Sequence, residues 1–119
     1  MTKQELLKRT KSYALRVIKA VRALPGDGVA EVLGRQLLRA GTSVGANYRA
    51  ACRAKSPADF INKLKIVEEE CDESLYWMEL LVESGLLPLG RLEALMREGE
   101  EILSIAVAAI RTTRARRTS

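Results

Sequence analysis

All three prolines of this 119-residue chain, Pro25, Pro57 and Pro88, stand where one long run of helical periodicity stops and the next begins. Proline lacks a backbone N–H and clashes with the preceding helical turn, so it is excluded from helix interiors and marks their ends. The neighbouring residues carry the same message. Pro25-Gly26-Asp27-Gly28 is a turn. Ser56 is an N-cap, with Pro57 at the first helical position and Asp59 placed to complement the helix dipole. Gly85 closes a helix and Pro88 opens the last one. Between these marks apolar residues recur by threes and fours, and no segment shows the alternation of a strand. The spacing predicts helices over about 3–24, 29–54, 57–84 and 88–114. Short connections make sequential helices antiparallel, so the expected architecture is an all-α, up-down-up-down four-helix bundle in a single domain, 1–119.

Hydrophobic residues make up 47% of the chain, but only five are Phe, Trp or Tyr, so the core must be aliphatic. The expected stripes are Leu6, Leu7, Ala14, Val17, Ile18, Val21 and Leu24 on the first helix, and Ala30, Leu33, Leu37, Ala40, Val44, Tyr48 and Ala51 on the second. The third offers Phe60, Leu64, Val67, Cys71, Leu75, Met78 and Val82, and the fourth Leu89, Leu92, Met96, Leu103, Ala106 and Ile110. Gly41 and Gly45 interrupt the second helix, where each costs about 1 kcal/mol against alanine. They imply either a close neighbour or a kink. The third helix has further apolar residues at Ile66, Trp77, Leu80 and Leu81, and the fourth at Leu95, Ile102, Ile105 and Ala109. This surplus either widens the core or meets a second subunit.

Charge is divided along the chain. Residues 1–67 hold fourteen Lys and Arg against four acids, residues 68–110 hold two Arg against eleven acids, and the last nine residues add four Arg. Lys8, Lys11, Arg16, Lys19 and Arg22 share one face of the first helix, and Arg35, Arg39, Arg49 and Arg53 one face of the second, each opposite its apolar stripe. Two adjacent helices then present a basic surface suited to an anionic partner. Solvated helix faces are the plainer explanation of such a pattern. The acids Glu70 and Glu73 beside Trp77 would match a basic surface on another copy. That arrangement favours head-to-tail association, closing into a ring or running on as a filament.

Several chemistries lack their residues. The chain has no histidine, which removes imidazole bases, histidine metal ligands and Ser-His triads. Cys52 and Cys71 are too few for a zinc site and are expected as buried free thiols. The acids of the third helix lack the Glu-x-x-His partners of a di-metal bundle. No phosphate loop is present. An enzyme is not expected, nor any metal or cofactor. No apolar run is long enough to cross a membrane, and the first residues lack a signal-peptide pattern, so a cytoplasmic setting is expected.

Three blocks in order, Gln36 to Asn47, Ser56 to Leu64 and Glu69 to Leu81, resemble the bacterial four-helix-bundle family of proteins encoded in 23S rRNA intervening sequences. Relatives of that kind form homopentameric rings. The accessory proteins of diversity-generating retroelements share the fold and bind nucleic acid and a reverse transcriptase. The resemblance therefore implies a homopentamer and, as partners, RNA or DNA and a reverse transcriptase or other nucleic-acid enzyme. Ser43, Asn47, Glu73 and Trp77 match the family's pattern, which implies a polar contact from Ser43 and Asn47 across to Glu73. Tyr48 replaces an aliphatic residue, and Arg49-Ala50-Ala51 lacks an acid usual there, which makes the second helix more basic.

Two functional readings follow. In the first, the chain is a non-enzymatic accessory or scaffold that binds RNA or DNA without sequence preference through Lys8, Lys11, Arg16, Lys19, Arg22, Arg35 and Arg39, assisted by the Arg111–Arg117 tail. Without interleaved aromatics on that stripe, base stacking is expected to be minor. Ser43, Asn47, Arg49, Arg53, Glu70, Glu73 and Trp77 then serve structure or the subunit interface. In the second, the protein is a purely structural homo-oligomeric module, and its charges only hold subunits together.

Overall fold

The computed structural model describes residues 1–118, with side chains to 117; Ser119, the last residue of the expected domain, lies outside the described residues. Four helices follow in order: α1 (Lys3–Arg22), α2 (Gly28–Ala51), α3 (Pro57–Glu83) and α4 (Leu89–Thr118). Each packs on its two neighbours around a square, α1 on α2, α2 on α3, α3 on α4 and α4 back on α1, and this last seam is the sparsest. The bundle is a rod of 52 × 20 × 20 Å. No helix among the described residues is long and apolar enough to cross a membrane.

Local signals account for the helix ends. Thr2 and Glu5 form a capping box: the Glu5 N–H donates to Thr2 Oγ1 at 3.1 Å and the Thr2 N–H to Glu5 Oε2 at 3.0 Å. Asp27 Oδ1 accepts from Val29 and Ala30, and Ser56 Oγ from Asp59. Gly85 takes a left-handed φ of 84°, which only glycine adopts without strain, and the chain reverses so that the Leu87 N–H reaches the Leu81 carbonyl at 3.1 Å. The first two helices are two to three residues shorter than expected. Both close in tight i→i+3 hydrogen bonds as the chain nears the next proline, whose predecessor disfavours helical backbone. The fourth is longer than expected. Its arginine-rich end stays helical to Thr118, since Arg and Ala are good helix formers and cations suit a helix C-terminus.

The expected α2 face is observed at Ala30, Leu37, Ala40, Val44, Tyr48 and Ala51, which are buried, while Leu33 is only half-buried. On α4 the register differs. Leu92, Leu95, Ile102, Ala106 and Ile110 point inward, while Met96 and Leu103 lie on the flank and Leu89 is exposed. The inward row passes through Gly99, which joins Leu95 to Ile102 by steps of four and three. Part of the surplus apolar surface is therefore core: Leu81, Leu95 and Ile102 are buried, whereas Ile66 remains exposed. Among the thiols, Cys71 is buried but Cys52 is only half-buried.

The mid-helix glycines mark close packing rather than a kink, because α2 is continuous through both. A Cβ on Gly41 would stand 2.7 Å from Val17 Cγ2, and one on Gly45 3.2 Å from the Thr10 carbonyl oxygen. Gly34 completes the row against Leu24. Small residues along one face of α2 thus let α1 lie nearly backbone to backbone against it.

Candidate nucleic-acid interface

That close approach shapes a groove. Because α1 and α2 are antiparallel, the first half of α1 lies along the last half of α2. Between them runs a groove with Thr10, Thr42, Gly45 and Ala46 among its lining and with Lys3, Lys8, Lys11, Arg49 and Arg53 along its walls. All five cations are exposed. Among the described residues no carboxylate lines the groove, and none of the five forms an ion pair. Five exposed cations along one groove with no carboxylate in its lining give it a positive potential that favours an anion.

The other basic residues are placed differently. Arg16 and Lys19 line a separate cleft at the α1–α4 seam, together with Arg91. Arg22 is exposed at the end of α1. Arg35 pairs with Glu31 one turn back on its own helix, at 3.2 Å. Arg39 is committed across the α2–α3 seam: Nη1 donates to Glu70 Oε2 at 3.0 Å and Nη2 donates to Glu73 Oε1. Glu73 also accepts from Trp77 Nε1 at 3.2 Å. The guanidinium, and then the indole, hold the Glu73 carboxyl below the usual carboxylate range.

The expected contact from Ser43 and Asn47 to Glu73 is not made. Ser43 Oγ donates to the Arg39 carbonyl at 2.7 Å and Asn47 Nδ2 to the Ser43 carbonyl at 2.8 Å, both within α2. Glu73 is met by the longer, charged Arg39 on the same α2 row, two turns before Asn47. Arg49 and Arg53, expected at a subunit interface, share the groove with Lys8 and Lys11. Lys3 was missed because it stands alone at the start of its helix, and only antiparallel pairing brings it beside the end of α2. Arg9 was also missed. Its Nε donates to Glu98 Oε2 at 2.9 Å and its Nη2 to Glu98 Oε1 at 2.6 Å and Glu101 Oε2 at 3.2 Å, clasping α1 to α4.

The family described as 23S rRNA-intervening sequence protein matches residues 2–108, and the chain belongs to it. A crystal structure of a protein of unknown function from the S23 ribosomal protein family of Bacteroides thetaiotaomicron is similar over 88% of this chain and 97% of that one, with 34% identity and a TM-score of 0.83. Among curated proteins no match is found.

Proposed function

We propose that the protein is a non-enzymatic accessory or scaffold that binds RNA or DNA through the α1–α2 groove, without reading sequence. One observation carries this reading: five cations converge on a groove that no carboxylate lines, while Arg9, Arg35 and Arg39 elsewhere are already paired. Lysines and arginines on a backbone-hugging groove meet phosphates, which are the same in every sequence. A reverse transcriptase or other nucleic-acid enzyme fits the same role as a protein partner. The protein acts as a homo-oligomer; the outer face of α3, with Ile66 and Tyr76 exposed, is the surface for self-association, and five subunits in a ring is the number that resemblance supplies.

Titration of a structured RNA at two salt concentrations tests the groove. Each phosphate neutralised steepens the fall of log affinity with log salt by roughly 0.7–0.9. Lys8→Glu/Arg49→Glu should abolish binding at about 50 mM salt, where such contacts are strong, and leave particle size unchanged. Arg35→Glu, outside the groove, should change affinity little. Absence of wild-type binding at that salt would favour the purely structural module.

A further inference from the structure

The groove does not end at Lys3. At the end of the rod where α1 begins and α4 finishes, the chain leaves a cleft over the mouth of the core. Phe60, in the first turn of α3, and Tyr48, in the last turn of α2, form its aromatic floor. Lys3, Lys55, Arg116 and Arg117 stand around it, drawn from α1, the α2–α3 turn and α4. No carboxylate lines this cleft among the described residues. It shares Lys3 and Cys52 with the α1–α2 groove, so the two adjoin at these residues. The basic face of α1 carries no aromatic residue at groove level, and stacking would be minor there. Tertiary structure instead brings the aromatics to the groove's end, from helices that contribute none to its walls.

Resting on the reading of the groove as a phosphate track, we infer that this end cleft takes an unpaired nucleotide, its base against Phe60 and its phosphate beside Lys3, Lys55 and Arg117. Phe60 is only half-buried and can offer ring surface to a ligand, whereas Tyr48 is nearly covered and closes the floor behind it. A base inside a duplex is already stacked on both faces and cannot enter. The protein therefore prefers single-stranded RNA or DNA, or a duplex with an unpaired end, over a blunt duplex.

The test uses the full chain and three oligonucleotides of equal length: a single strand, a duplex with a short overhang and a blunt duplex, each with 2-aminopurine at its end. Base–aromatic stacking predicts that the first two bind about tenfold tighter than the blunt duplex, and that bound 2-aminopurine changes its fluorescence only when unpaired. Phe60→Leu should remove that preference and the fluorescence change while leaving blunt-duplex affinity as it was; Phe60→Tyr should retain both. Equal affinity for all three oligonucleotides, with binding still lost in Lys8→Glu/Arg49→Glu, overturns the end cleft and leaves the groove standing. No binding of any oligonucleotide by wild type overturns both.

Discussion

At the scale of single residues, the bundle closes on a buried polar knot. Tyr13 is fully buried, and its hydroxyl lies 2.8 Å from Ser74 Oγ. Ser74 Oγ donates its one proton to the Cys71 carbonyl at 2.6 Å, so Tyr13 is the donor to Ser74. Cys71 Sγ in turn points at the Gly99 carbonyl, 3.1 Å away. Burial drives the Tyr13 phenol above its ordinary range and pushes the Cys71 thiol up to about 12. Cys71 is thus an inert thiol, while Cys52 borders both basic clefts. A thiol reagent at pH 8 should therefore titrate one cysteine in the native protein and two in denaturant. Gly99 leaves room for the knot: a Cβ there would stand 2.7 Å from Tyr13 Oη and 2.9 Å from Leu75 Cδ2. Gly99→Ala should lower stability by about 1–3 kcal/mol through overpacking, despite alanine's better helix propensity. Gly90→Ala, with nothing within 4 Å of the new methyl, should be neutral or gain up to about 1 kcal/mol. Denaturant midpoints at constant slope would show the opposite signs. Of this knot only Cys71 is legible in the sequence, on the expected α3 stripe; Tyr13 and Ser74 are buried polar residues that apolar periodicity does not mark, and Gly99 carries no side chain to mark a core position.

At the scale of helices, the seams differ in how they are held. Glycine and alanine draw α1 onto α2, so that seam is made by shape. The α1–α4 seam is the sparsest, and Arg9 clasps it through Glu98 and Glu101. The Arg9 guanidinium holds the Glu98 carboxyl below its usual range, ahead of an opposing effect of burial. A carboxyl depressed in the folded state gives stability that is present at neutral pH and is lost as pH falls through the folded value. Glu98→Gln should accordingly cost about 1 kcal/mol at pH 7, and the gap to wild type should narrow from about pH 5 downward. Melting curves across that range check both. A gap that stays constant to pH 3 would refute the ionic origin. The helices themselves were legible almost end to end, because proline, glycine and capping residues are local signals. The α4 register was not: Leu92, Leu95, Met96, Ile102 and Leu103 offer two stripes of similar strength, and the choice is made by where Gly99 lets Tyr13 enter. The candidate site was legible in part for a similar reason. Periodicity shows which face of a helix a cation occupies, but which cations share a groove depends on antiparallel pairing, and the neutralisation of Arg39 and Arg9, unlike that of Arg35 by nearby Glu31, depends on acids of α3 and α4 that are distant in sequence.

At the scale of the whole molecule, charge is unevenly spread, whereas exposed apolar residues occur on every helix, at Leu15, Val29, Val32, Ile66, Tyr76 and Leu89. The basic groove lies between α1 and α2, while most acids belong to α3 and α4. On α3 the side turned from the core carries Ile66, 37% exposed, and Tyr76, 53% exposed, with Tyr76 set edge-on to the half-buried Trp77 at 5.2 Å between ring centroids. Paired aliphatic and aromatic residues flanked by acids are suited to contact with a basic surface on a second copy. Because the complementary basic surface is on different helices, a contact between copies through these two surfaces would be heterologous, and a heterologous contact either closes into a ring or runs on. Multi-angle light scattering at micromolar protein should give one sharp multiple of 13.2 kDa if the ring closes, and a concentration-dependent spread if it does not. Ile66→Glu/Tyr76→Glu places like charge beside Glu69 and Glu73 and should reduce the particle to 13.2 kDa with helix content intact. Raising salt from about 50 mM to about 500 mM weakens exposed charge pairs but not apolar contact, so a particle that survives the salt and falls apart in the variant is held by the α3 face. A wild-type particle of 13.2 kDa at both salts would refute self-association. The same measurement bears on the groove, since a ring repeats the α1–α2 track in every subunit and one nucleic acid can engage several copies. Affinity for long strands should then exceed that for short ones by far more than the added length, and the excess should vanish in Ile66→Glu/Tyr76→Glu while the short-strand affinity remains.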